Sequence, residues 1–389
     1  MADLQDELRT TTEVGAPDPP AAARPERGTG PRSERARRAP ALTTETPVEA
    51  PVVPADVVQR AHALLAAHPV ADGYSGLPKA LARLHQYDLE LGERSMDTDV
   101  PRLRQGHVGA LFWALHLPDG PGGDRAVTAA LEQIDLVKRV VQAHPDGLRQ
   151  ARTAAQTTDA RNCGRTAVLL GPAGATAVGD SPALLRCLHA LGLKALTLAG
   201  VSWAGEAGLT RFGEEMVHEL NRLGVLVDLS GASDATAARA LAVSRAPVVF
   251  TRSAARALRP HPANLPDELL LRLRAARGLC LVPLTAEQTG PSVRDVADHL
   301  DHVRVLAGPE CVGLSGTYDS GAAHPQDLGD ASCYPHLIAE LLVRGWSEDH
   351  LALLTWGNVQ RVLRGADFAA RAAQQRRQPS TARIAWLDG

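Results

Sequence analysis

The chain has 389 residues, 44% of them hydrophobic but only 3% aromatic, so it can bury a sizeable core and that core must be aliphatic. Its 41 basic and 44 acidic side chains leave a formal net charge of -3, a near-balance that argues against the clustered basic footprint of a nucleic-acid binder. No stretch approaches the roughly 18 apolar residues of a membrane span, and the N-terminus has neither the basic nor the apolar region of a secretory signal.

Residues 1–54 carry nine of the 27 prolines and no aromatic residue, a composition that predicts a disordered tail. Its RSERARR run from Arg32 reads as solvated. Eight short apolar runs follow, beginning at Pro69, Val108, Thr166, Ala195, Val225, Pro247, Gly278 and Cys311. Most are continuous, as strands buried on both faces should be. Between them lie helix candidates at Ser181–Leu191, Leu209–Leu223, Asp234–Ser244 and Val293–Leu306. Ser181-Pro182 supplies a cap with proline in the first turn, and Gly192 supplies the stop. Eight strand–helix units predict a TIM (β/α)8 barrel over 55–365, with a doubly wound open sheet as the alternative and a polar, loose tail over 366–389. The five cysteines are widely spaced and include no Cys-x-x-Cys pair, which fits a reduced cytoplasmic protein. Only Lys79, Lys138 and Lys194 are lysines, an arginine bias expected of a GC-rich bacterial genome.

In such a barrel the chemistry sits where strands end, here at Tyr74–Gly76, His116, Ala173–Thr176, Gly200, Gly231, Arg252 and Thr317. A hydrolytic barrel needs His, Asp or Glu at such places to hold metal and activate water. Most of these positions hold Tyr, Gly, Ala, Thr or Arg instead.

Several long stretches carry a resemblance. They are DTDVPRLRQGHVGALFWALHLP from Asp97, GLTRFGEEMVHELNRLGVLVDLS from Gly208, SDATAARALAVSRAPVVF from Ser233, HPANLPDELL from His261, DVADHLDHVRVLAG from Asp295, and YPHLIAELLVRGWSEDHL with GNVQRVL near the C-terminus. Over about residues 55–365 the chain resembles the membrane (renal) dipeptidase family of zinc peptidases. The resemblance implies a metallo-dependent-hydrolase-like barrel, two zinc ions at its mouth and hydrolysis of dipeptides.

It also implies which positions have changed. The first strand of the family ends in a His-x-Asp motif, and DGYSGLP places Tyr74 and Gly76 there. The bridging glutamate corresponds to Ala173 in GPAGAT, with Thr176 in place of that segment's histidine. Two further histidines correspond to Gly231 in DLSG and Arg252 in TRS, and the catalytic aspartate to Thr317 in SGTYDSG. Gly200 replaces another histidine and Ala263 the arginine that would hold the substrate carboxylate, whereas Asp319, Asp228 and Asn264 match. Glycine and alanine offer no side-chain donor, threonine and neutral tyrosine are poor ones, and arginine is a permanent cation. The expectation is therefore no catalytic residue, no metal ligand and no cofactor where the family would use two zinc ions.

Other constellations have plainer readings. His299 and His302 in ADHLDHVR could form a helical metal pair but read as a packing face. GPAGATAVGD lacks the lysine of a phosphate loop, and Cys163 reads as an exposed thiol. At the mouth, Arg252, Arg256, Tyr74, Tyr318 and Asp319 are candidates to bind a small anionic or carboxylate ligand. The plainer alternative has Arg252 reaching solvent or pairing with Asp319 or Asp228. The sequence thus reads as a catalytically inactive family member with a binding or assembly role, forming a homodimer or pairing with an active paralogue, with no nucleic-acid or membrane partner. The alternatives are a metal-free enzyme built on Tyr74, Arg252, Tyr318 and Asp319, or a residual zinc-dependent dipeptide hydrolase.

Overall fold

The computed structural model describes residues 54–389 apart from 85, 93–94 and 119–122. The expected tail over 1–54 lies, except for Pro54, outside the described residues. All eight apolar runs form strands: β1 Val70–Ser75, β2 Val108–Leu115, β3 Thr166–Gly174, β4 Ala195–Thr197, β5 Leu226–Asp228, β6 Val249–Phe250, β7 Leu279–Pro283 and β8 Val312–Ser315. Neighbours in sequence pair in parallel, and β8 returns to β1 through Asp72 opposite Leu314, so the sheet closes. Closure decides between the two folds the periodicity allowed: the domain is a TIM barrel. A short strand, Leu148–Gln150, pairs with the lower part of β3 while β4 pairs with its upper end.

The strands are buried along almost their whole length because helices cover the outside and side chains fill the inside. The interior is lined by Ala71, Ala110, Phe112, Ala167, Leu169, Leu226, Val249 and Leu281. Small side chains on several strands leave room at the bottom for Trp356, Val359 and Leu363, which come up from the C-terminal helical region. The predicted helices form at Pro182–Leu191, Arg211–Leu223, Asp234–Val243 and Val293–Ala307. Ser181 caps the first by accepting from the Leu184 N–H, and Gly192 ends it at φ 122°. Ser292 and Asp295 form a reciprocal capping box on the last. No helix among the described residues is long and apolar enough to cross a membrane.

The C-terminus differs from the expectation. The boundary at 365 falls inside the helix Asn358–Arg376, and the residues beyond fold back onto the barrel. Arg186 donates to the Ser380 carbonyl at 2.8 Å, and the Ser380 N–H donates to the buried Glu219 carboxylate at 3.3 Å. Asp388 accepts from Thr210 Oγ1 at 2.6 Å and from the Phe212 N–H at 3.1 Å. These contacts dock a segment whose residues are otherwise mostly exposed.

Candidate functional site

The upper ends of β1, β2 and β6 bring three side chains together. The Tyr74 hydroxyl lies 3.2 Å from His116 Nε2, and the Arg252 guanidinium lies over the Tyr74 ring, 4.7 Å from its centroid. That geometry is a cation–π contact between a buried ring and an exposed guanidinium. Burial raises the Tyr74 pKa even against the pull of Arg252, so the phenol stays neutral. Burial, reinforced by Lys79, Arg252 and Arg83, lowers His116 to about 4, so its imidazole is neutral at pH 7. Gln133, on the helix Asp124–Ala143, holds His116 from behind. Its Oε1 accepts the His116 N–H at 2.8 Å and its Nε2 donates to the His116 carbonyl.

Arg252 is placed through its backbone. Its N–H donates to Ser230 Oγ at 3.1 Å, and Ser230 Oγ donates to Asp228 at 2.8 Å. Asp228 also accepts from Thr197 Oγ1 and the Thr251 N–H, which ties the ends of β4, β5 and β6 together. The resulting cavity, about 350 Å³, is lined by Tyr74, His116, Arg252, His261, Glu287 and Thr317 among others.

The far wall is a turn that closes down onto β1. Thr317 N–H donates to the Tyr74 carbonyl at 2.9 Å, and Gly76 N–H donates to the Tyr318 carbonyl at 2.7 Å. Thr317 and Asp319 take φ of 54° and 58°, a left-handed backbone that side chains other than glycine seldom adopt. Reciprocal bonds hold the turn: the Asp97 N–H donates to Asp319 Oδ1 at 2.8 Å, and the Asp319 N–H to Asp97 Oδ2 at 2.9 Å. Beneath it, buried Asp72 accepts from the N–H groups of Tyr74 and Gly316 and from the Tyr334 hydroxyl. Burial pushes both Asp72 and Asp319 up to about 6.

Of the residues named from the sequence, Tyr74, Gly231, Arg252 and Thr317 line one cavity, with Ala263 beside them. Ala173 is fully buried at the end of β3, and Thr176 lies in the turn Ala175–Val178. Gly200 is exposed at φ 71°. Three candidates for ligand binding face elsewhere. Arg256 is committed to Asp234 through two bonds of 2.8 and 2.9 Å. Tyr318 is fully buried with its hydroxyl on the Leu328 carbonyl, and Asp319 is engaged with Asp97. Arg252 is exposed to solvent, as the plainer alternative had it, and pairs with neither Asp228 nor Asp319; among the described residues no carboxylate lies within ion-pair distance of it. His299 accepts from the Ala255 N–H, while His302 meets Asp267, so the two imidazoles serve separate packing contacts. Sequence reasoning named His116 only as a strand end, and missed Gln133 entirely, since nothing local marks a helix glutamine as the clamp of a distant peptide.

The donor set does not fit a binuclear zinc centre. Tyr74 is a neutral phenol, Ala173 and Gly231 offer no donor, Thr317 Oγ1 donates to the Gly316 carbonyl, and Arg252 brings a permanent positive charge. A β-carbon on Gly76 would fall less than 3.0 Å from the backbone of Asp319 and Ser320. Among the described residues no group of three or more His, Cys, Asp and Glu side chains is arranged to hold a metal ion.

An eight-stranded parallel barrel with a cavity at its strand-end mouth has the architecture of the metallo-dependent hydrolases. Within that class the chain belongs to the membrane dipeptidase family (peptidase family M19), whose model matches residues 58–377. It is 39% identical to mouse Dipeptidase 3 over 329 residues, covering 79% of this chain and 66% of that protein. It is 37% identical to dipeptidase aclJ of Aspergillus oryzae, covering 78% and 79% of the two chains. A metallo peptidase from Rhodobacter sphaeroides, solved with a phosphinate mimic of the dipeptide L-Ala-D-Ala, superposes with a TM-score of 0.70 at 25% identity, covering 77% of this chain and 99% of that one.

Proposed function

We propose that this chain is a non-hydrolytic member of the membrane dipeptidase family whose barrel mouth binds a small anionic, carboxylate-bearing ligand. One observation carries the reading: the Arg252 guanidinium lies over Tyr74 in the mouth and has no carboxylate partner among the described residues. A permanent cation there repels a divalent metal and attracts an anion, and its planar donors suit a carboxylate. The relatives' names keep a second reading open, residual dipeptide hydrolysis. The five unpaired cysteines support a reducing compartment such as the cytoplasm. Self-association, or pairing with an active paralogue, is the assembly role we propose beside binding.

Metal analysis and an activity assay test the central claim. The purified protein is expected to hold no stoichiometric zinc and to hydrolyse dipeptides at background with zinc added. Two metals per chain, or hydrolysis abolished by a chelator, would overturn it. Titration with acetate and propionate is expected to show saturable binding that is lost in Arg252→Gln.

A further inference from the structure

His116 borders two cavities. Besides the mouth cavity it lines a second one of about 660 Å³, formed with Lys79, Arg83, Tyr87, Gln133 and Arg139. β1 runs straight into the helix Leu77–Leu81, which sets Lys79 and the following Arg83 in the second cavity, whereas Arg252 lies in the first, with His116 bordering both. Arg139 is neutralised by Asp135 at 2.8 Å. Lys79, Arg83 and Arg252 make no ion pair among the described residues. Among the described residues lining the two cavities the acidic groups are Glu132, which borders the outer one, and Glu287, 78% exposed, which meets His261 at the inner rim.

We propose that the two cavities form one divided site for a small molecule with two anionic groups, one held by Arg252 and the other by Lys79 and Arg83, with its neutral middle crossing the Tyr74–His116 pair. This rests on the anion-binding reading of the mouth and deepens it by adding a second anchor. Cations in two cavities that share an uncharged partition select for two charges at a set spacing, since a single charge can use only one of them. The three cations are also felt at the partition, where each disfavours protonation of His116. A neutral imidazole hydrogen-bonded to a neutral phenol is a surface over which an aliphatic chain can lie without desolvating a charge.

Calorimetric titration at low ionic strength with linear dicarboxylates from malonate to adipate, with the matching monocarboxylates and with 2-phosphoglycolate tests this. One dicarboxylate length is expected to bind at least about tenfold more tightly than its monocarboxylate, and the advantage to vanish in Lys79→Gln/Arg83→Gln while monocarboxylate affinity is retained. Tighter binding of 2-phosphoglycolate than of any dicarboxylate would identify the second anionic group as a phosphate. If mono- and dicarboxylates bind alike and both depend only on Arg252, the divided site is wrong and the single-anion reading stands. If no probe binds the wild type, both fail. Melting curves of the variants establish that any loss is not unfolding, since Arg83 and Arg252 are exposed and Lys79 is half-buried.

Discussion

The Asp319 carbonyl occupies the space into which any side chain on Gly76 would project. Tyr318 and Gly76 are hydrogen-bonded through their backbones at the same point, so the turn cannot retreat without breaking the seam between β8 and β1. Backbone of the Thr317–Ser320 turn thus fills the space beside Gly76, the position where the family resemblance implies an aspartate.

Gly76→Ala is expected to destabilise the protein by about 1–3 kcal/mol through overpacking, read as a shift in the urea midpoint. Gly231→Ala meets nothing within 4 Å, so only its left-handed φ of 73° opposes it, at roughly 1–2 kcal/mol. Rebuilding the implied ligand set with Tyr74→His, Ala173→Glu, Gly231→His, Arg252→His and Thr317→Asp is expected to fold better with Gly76 kept than with Gly76→Asp added. An unchanged midpoint in Gly76→Ala would mean the turn is free to move.

Asp72 makes stability depend on pH. Its pKa of about 6 lies above the ordinary 3.8, so the folded state binds its proton more tightly than the unfolded one. The stabilisation is full below the unfolded value and is lost as pH rises through about 6. Two pK units correspond to about 3 kcal/mol. Asp72→Asn removes the Asp72 share of the dependence and leaves that of Asp319, so its stability relative to wild type is expected to rise by that order between pH 4 and 7, measured by urea denaturation across the range. A constant offset would show that Asp72 is ionised throughout.

Gln133→Ala is expected to cost about 1–3 kcal/mol, because the His116 N–H and carbonyl lose their shared partner at a part-buried position. Anion affinity should fall with it, as His116 is no longer held against Tyr74. Gln133→Glu, which keeps the acceptor and loses the donor, should recover part of the stability.

Deleting residues 377–389 is expected to lower stability by about 2–3 kcal/mol, since Glu219 loses a hydrogen bond at a fully buried carboxylate. Arg377–Glu215 and the Asp388 contacts go as well. A melting temperature within a degree of the full chain would return this segment to the status of a loose tail.

The amino-acid sequence by itself determined the eight strands, because burial on both faces writes most of them as continuous apolar runs. Helix ends such as Ser181 and Gly192 were equally legible, as capping is chemistry between near neighbours. The motif stretches placed Tyr74, Gly231, Arg252 and Thr317 at strand ends, and parallel strands in a closed barrel carry such ends to one mouth. What faces what there was decided only in three dimensions. Arg256 and Tyr318 looked like mouth residues but are turned to Asp234 and Leu328, while Arg252 settles on a ring 178 positions away in the chain rather than on either candidate aspartate. Closure of the Thr317–Ser320 turn on Gly76, the Gln133 clamp on His116 and the seating of Ser380 on Glu219 join segments far apart in sequence. Periodicity records only which face of its own element a residue occupies, so contacts between loops of different strands leave no trace in it.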